Sequence, residues 1–231
     1  MANNYFQFKH FTVFQDGCSM KVGTDGTLLG AWADGGRQIL DIGTGTGLIA
    51  MMMAQRFPDS LVDAIDIDEV ACAQARENVL ASDFADRIRV HHTALQAFDS
   101  PEAKQYDAII CNPPFFENAL KNPDRHKSTA RHTDSLSYSD LFRSVGRLLS
   151  TDEGVFSVII PSDCRLRFDE EATYAGFYPY QVTAVKTTPR KAPKRYLLSY
   201  RLQMKGQPRE DAFVIGDDTY RMLLGDFYLH L

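Results

Sequence analysis

Gln38-Ile-Leu-Asp41-Ile-Gly43-Thr-Gly45-Thr-Gly47-Leu-Ile-Ala-Met-Met-Met-Ala-Gln-Arg56 is the stretch on which the fold turns. Residues 38–42 are mostly apolar, carry two isoleucines and end at a glycine, as a short buried strand does; from Gly47 to Arg56 the chain is apolar and rich in Met and Ala, as a buried helix is. Strand, tight turn and helix are therefore predicted in that order, and the unit repeats. Residues 61–67 alternate and end in acid, and Asp68 is an N-cap residue in front of a run of good helix formers reaching Ala81. Arg87–Thr93 and Tyr106–Cys111 are predicted as the third and fourth strands, with one short helix near Pro101 between them. Tyr138–Leu149 has helical spacing, and Gly154–Ile160 is a nearly continuous β run stopped by Pro161. Five β/α units over residues 38–175 imply a parallel sheet covered by helices on both faces, because each parallel crossover needs a connecting element. Tyr180–Lys186 and Tyr196–Met204 are joined by a Pro- and Lys-rich stretch too short for such a crossover, so a terminal antiparallel hairpin is expected. The predicted class is α/β, with a mostly parallel seven-stranded sheet.

Composition bounds the rest. The chain has 231 residues, of which 44% are hydrophobic and 24% charged, with a net charge of −5. That is ordinary globular composition, which excludes a disordered, collagen-like or disulfide-scaffold chain. No apolar run reaches the length that spans a bilayer, and the N-terminus lacks a basic region followed by an apolar one, so a cytoplasmic protein is expected. Cys18, Cys72, Cys111 and Cys164 are far apart and form no Cys-x-x-Cys pair. His10, His91, His92 and His230 show no metal-ligand spacing, and no metal is expected. Three regions follow: an N-terminal segment over residues 1–37, a sheet domain over 38–205, and a tail over 206–231 packed on it, with a helix at Asp217–Leu224 and the aromatic pair Phe227 and Tyr228.

Gly43, Gly45 and Gly47 sit where the first strand turns into its helix, where glycine backbone and helix-terminal amides can face a ligand. The spacing is not that of a dinucleotide fingerprint. Asp41, two residues upstream, suits a ligand with an ammonium group, such as S-adenosylmethionine, better than a pyrophosphate. Asp66, nineteen residues after Gly47 at the end of the second strand, is placed to accept hydrogen bonds from ribose hydroxyls.

Asn112-Pro113-Pro114-Phe115-Phe116 follows directly on the fourth strand, and ligands of open α/β sheets bind at such strand ends. Two prolines fix the backbone and remove two amide donors. The exocyclic amine of adenine is a poor nucleophile because its lone pair is delocalised into the ring. Asn112 offers an amide oxygen to one amine hydrogen, the Pro113 carbonyl offers an acceptor to the other, and Phe115 offers a flat face for the base. Positioning for in-line displacement then suffices without a strong base.

With these motifs the sequence resembles the Rossmann-like class I S-adenosylmethionine-dependent methyltransferases that act on amines. More narrowly, it is similar to the bacterial valine-tRNA adenine-N6 methyltransferase family. The likeness covers residues 8–231 and rests on four stretches: 20–33, with Asp25, Leu28 and Trp32; 40–50; Asn112-Pro-Pro-Phe-Phe; and Ala130-Arg131-His132-Thr133. It implies that Asp25 and Leu28 belong to a segment closing over the cofactor, and that Asp41, Gly43, Gly45, Gly47, Asp66 and Asn112 bind S-adenosylmethionine. It also implies that Asn112, Pro113 and Phe115 are catalytic, on adenine beside the anticodon of valine tRNA. Relatives often place an acid after strand three to hold the cofactor adenine; here the chain reads His92-Thr93-Ala94, and Thr93 or a backbone amide is expected in its place. Other N-methylations, of another RNA, of DNA or of a protein glutamine, and a catalytically idle cofactor- or RNA-binding protein are the alternatives. Enzymes of the glutamine class typically carry a separate helical N-terminal domain, for which residues 1–37 are too few.

A net charge of −5 requires any RNA footprint to be local. Lys186 to Lys205 carries +7 and Lys121 to His132 carries +3, which leaves −15 on the remainder. Arg190, Lys191, Lys194 and Arg195, together with Phe116 and Arg131, are the expected tRNA contacts, and Arg131 and His132 could instead order the loop after Phe116. A monomer is expected.

Overall fold

The computed structural model describes residues 4–16, 21–99, 105–113, 136–150 and 153–230. A two-stranded hairpin, β1 (Tyr5–Gln7) and β2 (Thr12–Phe14), opens the chain and leads to α1 (Thr24–Trp32). The repeating units then follow as β3 (Gln38–Ile42), α2 (Leu48–Arg56), β4 (Leu61–Asp66), α3 (Glu69–Leu80), β5 (Ile88–His92), a 3-10 turn at Leu95–Ala97, β6 (Ala108–Cys111), α4 (Tyr138–Leu148), β7 (Val155–Pro161) and α5 (Arg165–Tyr174). The chain closes with β8 (Tyr178–Lys186), β9 (Arg195–Arg201), β10 (Arg209–Val214) and α6 (Asp218–Leu224).

The main sheet has the order β10-β8-β9-β7-β6-β3-β4-β5, parallel except for β9, which runs against both β7 and β8. The parallel centre and the hairpin of β8 and β9 are the predicted ones. The count is corrected from seven strands to eight, because β10 pairs in parallel with β8. Its sequence, Arg-Glu-Asp-Ala-Phe-Val, has three charged residues in a row, which only an edge strand tolerates and which hides it from a hydrophobic pattern. Residues 206–231 are thus partly built into the sheet, while Phe227 is buried and Tyr228 packs against Phe6 and Phe8.

Alternation along each central strand feeds two cores. Ile39, Val62, Ala64, Ala108 and Ile110 face α1, α2 and α6, whereas Leu40, Ile42, Ile65, Ile109 and Cys111 face α4 and α5. In the second core Phe142 touches Phe156, Phe168, Phe177 and Tyr200, with ring centroids 4.8 to 5.7 Å away. The N-terminal hairpin and the tail close on each other behind α2. Phe8 bridges to Tyr228, and Lys9 N donates to the carbonyl of Phe227 at 2.8 Å.

Candidate functional site

The C-terminal ends of β3, β4, β6 and β7 lie side by side, and a cleft of about 320 Å³ opens there. Residues 21–26, 43–46, Leu48, Ile49 and Asn112 line it.

Gly43, Gly45 and Gly47 have φ of 69°, 57° and 81°, the left-handed region that favours glycine. A Cβ at Gly43 or Gly45 would meet nothing within 4 Å, so these two are needed for their backbone conformation and leave an open face on the cleft. Their amides face inward. Gly43 and Thr44 donate to the carbonyl of Ile65 at 2.9 and 3.0 Å, Gly45 to Asp66 Oδ2 at 2.8 Å and Gly47 to Thr44 at 2.9 Å. The loop thus presents carbon faces where a phosphate loop would present amides.

Asp41 is fully buried beneath this loop, where Oδ2 accepts from Thr44 Oγ1 at 2.6 Å and from Ala50 N at 3.2 Å. Its Oδ1 has no hydrogen-bond partner. Burial pushes this carboxyl up to about 7, against the lowering effect of those two bonds. The first role of Asp41 is accordingly to hold the loop from below. Asp66 accepts from Gly45 N and from Asp68 N, one on each oxygen, which leaves lone pairs on both for a diol. Asp68 caps α3 through Val70 N at 2.9 Å, as its sequence position predicts. Ile67, next to Asp66, is 55% exposed and offers an apolar face beside that acid.

Across the cleft, Asn112 extends directly from β6, and its Oδ1 is buried without a partner. A buried amide oxygen left unmatched loses the bonds it had in water, so it is an acceptor waiting for a donor. Pro113 is buried behind it.

The remaining wall is held by residues with no motif. Asn78 of α3, 0% exposed, donates to the carbonyls of Phe14 at 2.8 Å and Thr46 at 2.9 Å and accepts from Phe14 N at 2.9 Å. One side chain thus ties β2 to the glycine loop. Gln15, the next residue of the chain, accepts from Val22 N at 2.8 Å and carries that register into residues 21–26 of the cleft.

Comparison with known proteins gives the same picture. The model of the methyltransferase small domain matches residues 23–132. Over their full lengths, this chain is 44% identical to the tRNA1(Val) (adenine(37)-N6)-methyltransferase of Bacteroides thetaiotaomicron and 45% identical to that of Phocaeicola vulgatus, with 100% of each chain covered. The chain belongs to the tRNA1(Val) (adenine(37)-N6)-methyltransferase family. In three dimensions it is similar to a "predicted O-methyltransferase" of Agrobacterium tumefaciens, with TM-score 0.65, 18% identity, and 88% and 97% of the two chains covered, a likeness of fold.

As a member of that family, the chain assembles the expected residues unevenly. Asp25, Gly43, Gly45 and Asn112 meet in the cleft, with Asp66 bonded to its loop. Leu28 lies 1% exposed in the core under α1, so its side chain anchors that helix instead of lining the cleft. Thr93 follows β5, its amide bonded to the carbonyl of Asp66 and its hydroxyl to that of Ala94. Arg190, Lys191 and Lys194 are exposed on the loop between β8 and β9. Because β8 runs parallel to β7, that loop is at the same edge as the cleft. Arg195 is otherwise engaged: its Nε donates to Asp25 Oδ2 at 2.8 Å, across 170 residues of chain. Arg201 and Lys205 both pair with Glu153 at the opposite edge, so the +7 of the stretch is not presented as one patch. Phe115, Phe116, Arg131 and His132 lie outside the described residues, as do Cys18 and Pro101. Among the described residues no group of His, Cys, Asp and Glu could hold a metal, and no helix is long and apolar enough to cross a membrane.

Proposed function

We propose that this chain transfers the methyl group of S-adenosylmethionine to the exocyclic N6 of adenine 37 in tRNA1(Val), with the Asn112 side chain positioning the amine. The observation that carries this is the buried Asn112 Oδ1, which has no hydrogen-bond partner, on a residue that lines the same cleft as the glycine loop.

The acceptors present fit S-adenosylmethionine, a ligand with donors on its ammonium and ribose groups. Asp66 has lone pairs for the ribose hydroxyls, the loop of Gly43 to Gly47 gives an open backbone face, Asp25 lines the cleft with a carboxylate shared with Arg195, and Thr93, which follows β5, is assigned to the adenine. When bound, the cofactor supplies a methyl group made electrophilic by its sulfonium. Asn112 Oδ1 accepts one hydrogen of the adenine amine and the Pro113 carbonyl accepts the second. These two bonds draw the nitrogen lone pair out of conjugation with the ring and aim it into the cleft. Phe115 stacks against the base, a contact on the order of 1–3 kcal/mol in single-stranded nucleic acids. The amine proton becomes acidic as the new bond forms, so no strong base is asked of these residues.

The RNA approaches from the edge that carries Arg190, Lys191 and Lys194, whose charges fit phosphates, and Phe116 and Arg131 are assigned to the same substrate. Arg195 is assigned to Asp25 in the free protein. A tRNA substrate supports a cytoplasmic location, and a monomer completes the proposal.

A labelled-methyl assay on unmodified tRNA1(Val), followed by nucleoside mapping, tests the function. Wild type is expected to label adenine 37 at N6, and Asn112→Ala to lose about 10²–10³-fold in turnover, the scale of one positioned polar group. No label on adenine from the wild type overturns the proposal.

A further inference from the structure

The catalytic edge continues past Asn112 onto a surface that the chemistry above leaves unused. β7 is the neighbour of β6, and just beyond its end the first turn of α5 brings Arg165, Leu166 and Arg167 to this edge. The Arg165 guanidinium lies over the ring of Tyr196 at 4.3 Å, while its Nε donates to Asp169 at 3.3 Å. Arg167, itself exposed, lies over the ring of Tyr138 at 5.9 Å. Between them Leu166 is 73% exposed. Ser162 N donates to the carbonyl of Lys194 at 3.2 Å, which joins this turn to the loop of Arg190, Lys191 and Lys194. Asp163 is the exposed acid among these cations.

Guanidinium planes, aromatic rings and exposed apolar side chains are the surfaces on which proteins lay the unstacked bases of RNA loops, with cations nearby for the phosphates. Leucine in an exposed first turn contributes nothing to either core, so its use lies outward. We infer that Arg165, Leu166, Arg167 and Tyr196 form a platform for bases of the anticodon loop next to the target, holding the loop while its adenine enters the cleft. This inference rests on the tRNA-methylating function proposed above and adds the surface that selects a loop over a helix.

The test uses the double variant Leu166→Ser/Arg167→Ala and, as a change on the surface alone, Arg167→Glu. Binding is measured to unmodified tRNA1(Val) and to its isolated anticodon stem-loop, and S-adenosylmethionine affinity is measured by calorimetry. Each variant is expected to bind both RNAs about tenfold more weakly, the scale of a single base stack removed, with cofactor affinity unchanged. Unchanged binding of both RNAs, or weakening confined to full-length tRNA, overturns the platform. Wild-type methylation of adenine 37, measured alongside, separates the two ideas: if it persists while the variants bind normally, only the platform falls, and if it is missing, the parent function falls with it.

Discussion

The two walls of the cleft are built on different principles. On the cofactor side most polar atoms already have a partner within the protein: four loop amides, all of the Asn78 amide, one bond on each oxygen of Asp66 and one oxygen of Asp41, with Asp41 Oδ1 the exception. On the substrate side Asn112 Oδ1 is buried and unmatched, and Arg190, Lys191 and Lys194 stand exposed. A wall that is finished before the ligand arrives fixes geometry, whereas a wall with open valences gains its bonds when the substrate comes. Substitutions in the first should therefore cost folding and cofactor affinity together, and substitutions in the second should cost turnover or RNA affinity alone.

Asn112→Ala is the sharpest break of that contrast, because it removes an oxygen bonded to nothing in the free protein. Beside the loss in turnover already given, its melting temperature is expected to stay at or slightly above that of wild type, since an unmet acceptor is deleted. A melting temperature lowered by several degrees would move Asn112 to the structural side.

Asn78→Ala tests the finished wall. Removing the three hydrogen bonds of this buried side chain is expected to destabilise the protein by about 2–4 kcal/mol in denaturant titrations. The KM for S-adenosylmethionine should rise several-fold while kcat at saturation is kept, because the hairpin and the glycine loop lose their common register. Val79→Ala, in the core on the same helix, should lower stability without moving that KM. If the two variants shift KM alike, Asn78 is merely structural.

Asp41 adds a pH signature to the same wall. Its carboxyl lies near 3.8 when unfolded and about 7 when folded, so the folded state prefers the protonated form. The corresponding stability is present below pH 3.8 and is lost as pH rises through about 7. Asp63 works in the opposite sense: despite burial, hydrogen bonds from His91 at 2.7 Å and Tyr106 at 2.8 Å hold it below the usual range, so its contribution is lost only as the solution becomes more acid than 3.8. Melting curves of wild type and Asp41→Asn at intervals from pH 4 to 8 should therefore diverge in slope, with wild type falling more steeply. Parallel curves would show that Asp41 titrates normally.

Much of this architecture is legible in the sequence, for reasons that also mark the limits. β3 and α2 can be placed to within a residue because their apolar periods differ and glycines stand between them. The ends of β4 and β6 locate Asp66 and Asn112 at one edge by topology alone. β10 is not legible, because an edge strand need not be apolar. Nor is the pairing of Arg195 with Asp25, which depends on chain segments brought together only by the hairpin. Asn78 left one signal unused: it lies on the buried stripe of α3 with Ala71 and Ala75, where a polar residue must find partners.

The smallest expected effect belongs to the exposed loop, and it is the one that separates the two walls by salt. Arg190, Lys191 and Lys194 are exposed, so replacing all three by Ala should leave melting temperature and S-adenosylmethionine affinity unchanged. Removing one cation from a phosphate lowers the dependence of log affinity on log salt by roughly 0.7–0.9, so the slope for tRNA binding should fall by about two to three. Affinity at physiological salt should fall by about tenfold, and turnover at saturating RNA should hold, because the cleft is untouched. Arg195→Ala is the contrasting change: it removes a half-buried pair to Asp25, and its effect should appear in cofactor affinity with the salt slope kept. Should the triple variant keep the full slope while Arg195→Ala reduces it, the RNA-binding role would belong to Arg195, and its bond to Asp25 would have to open for substrate to bind.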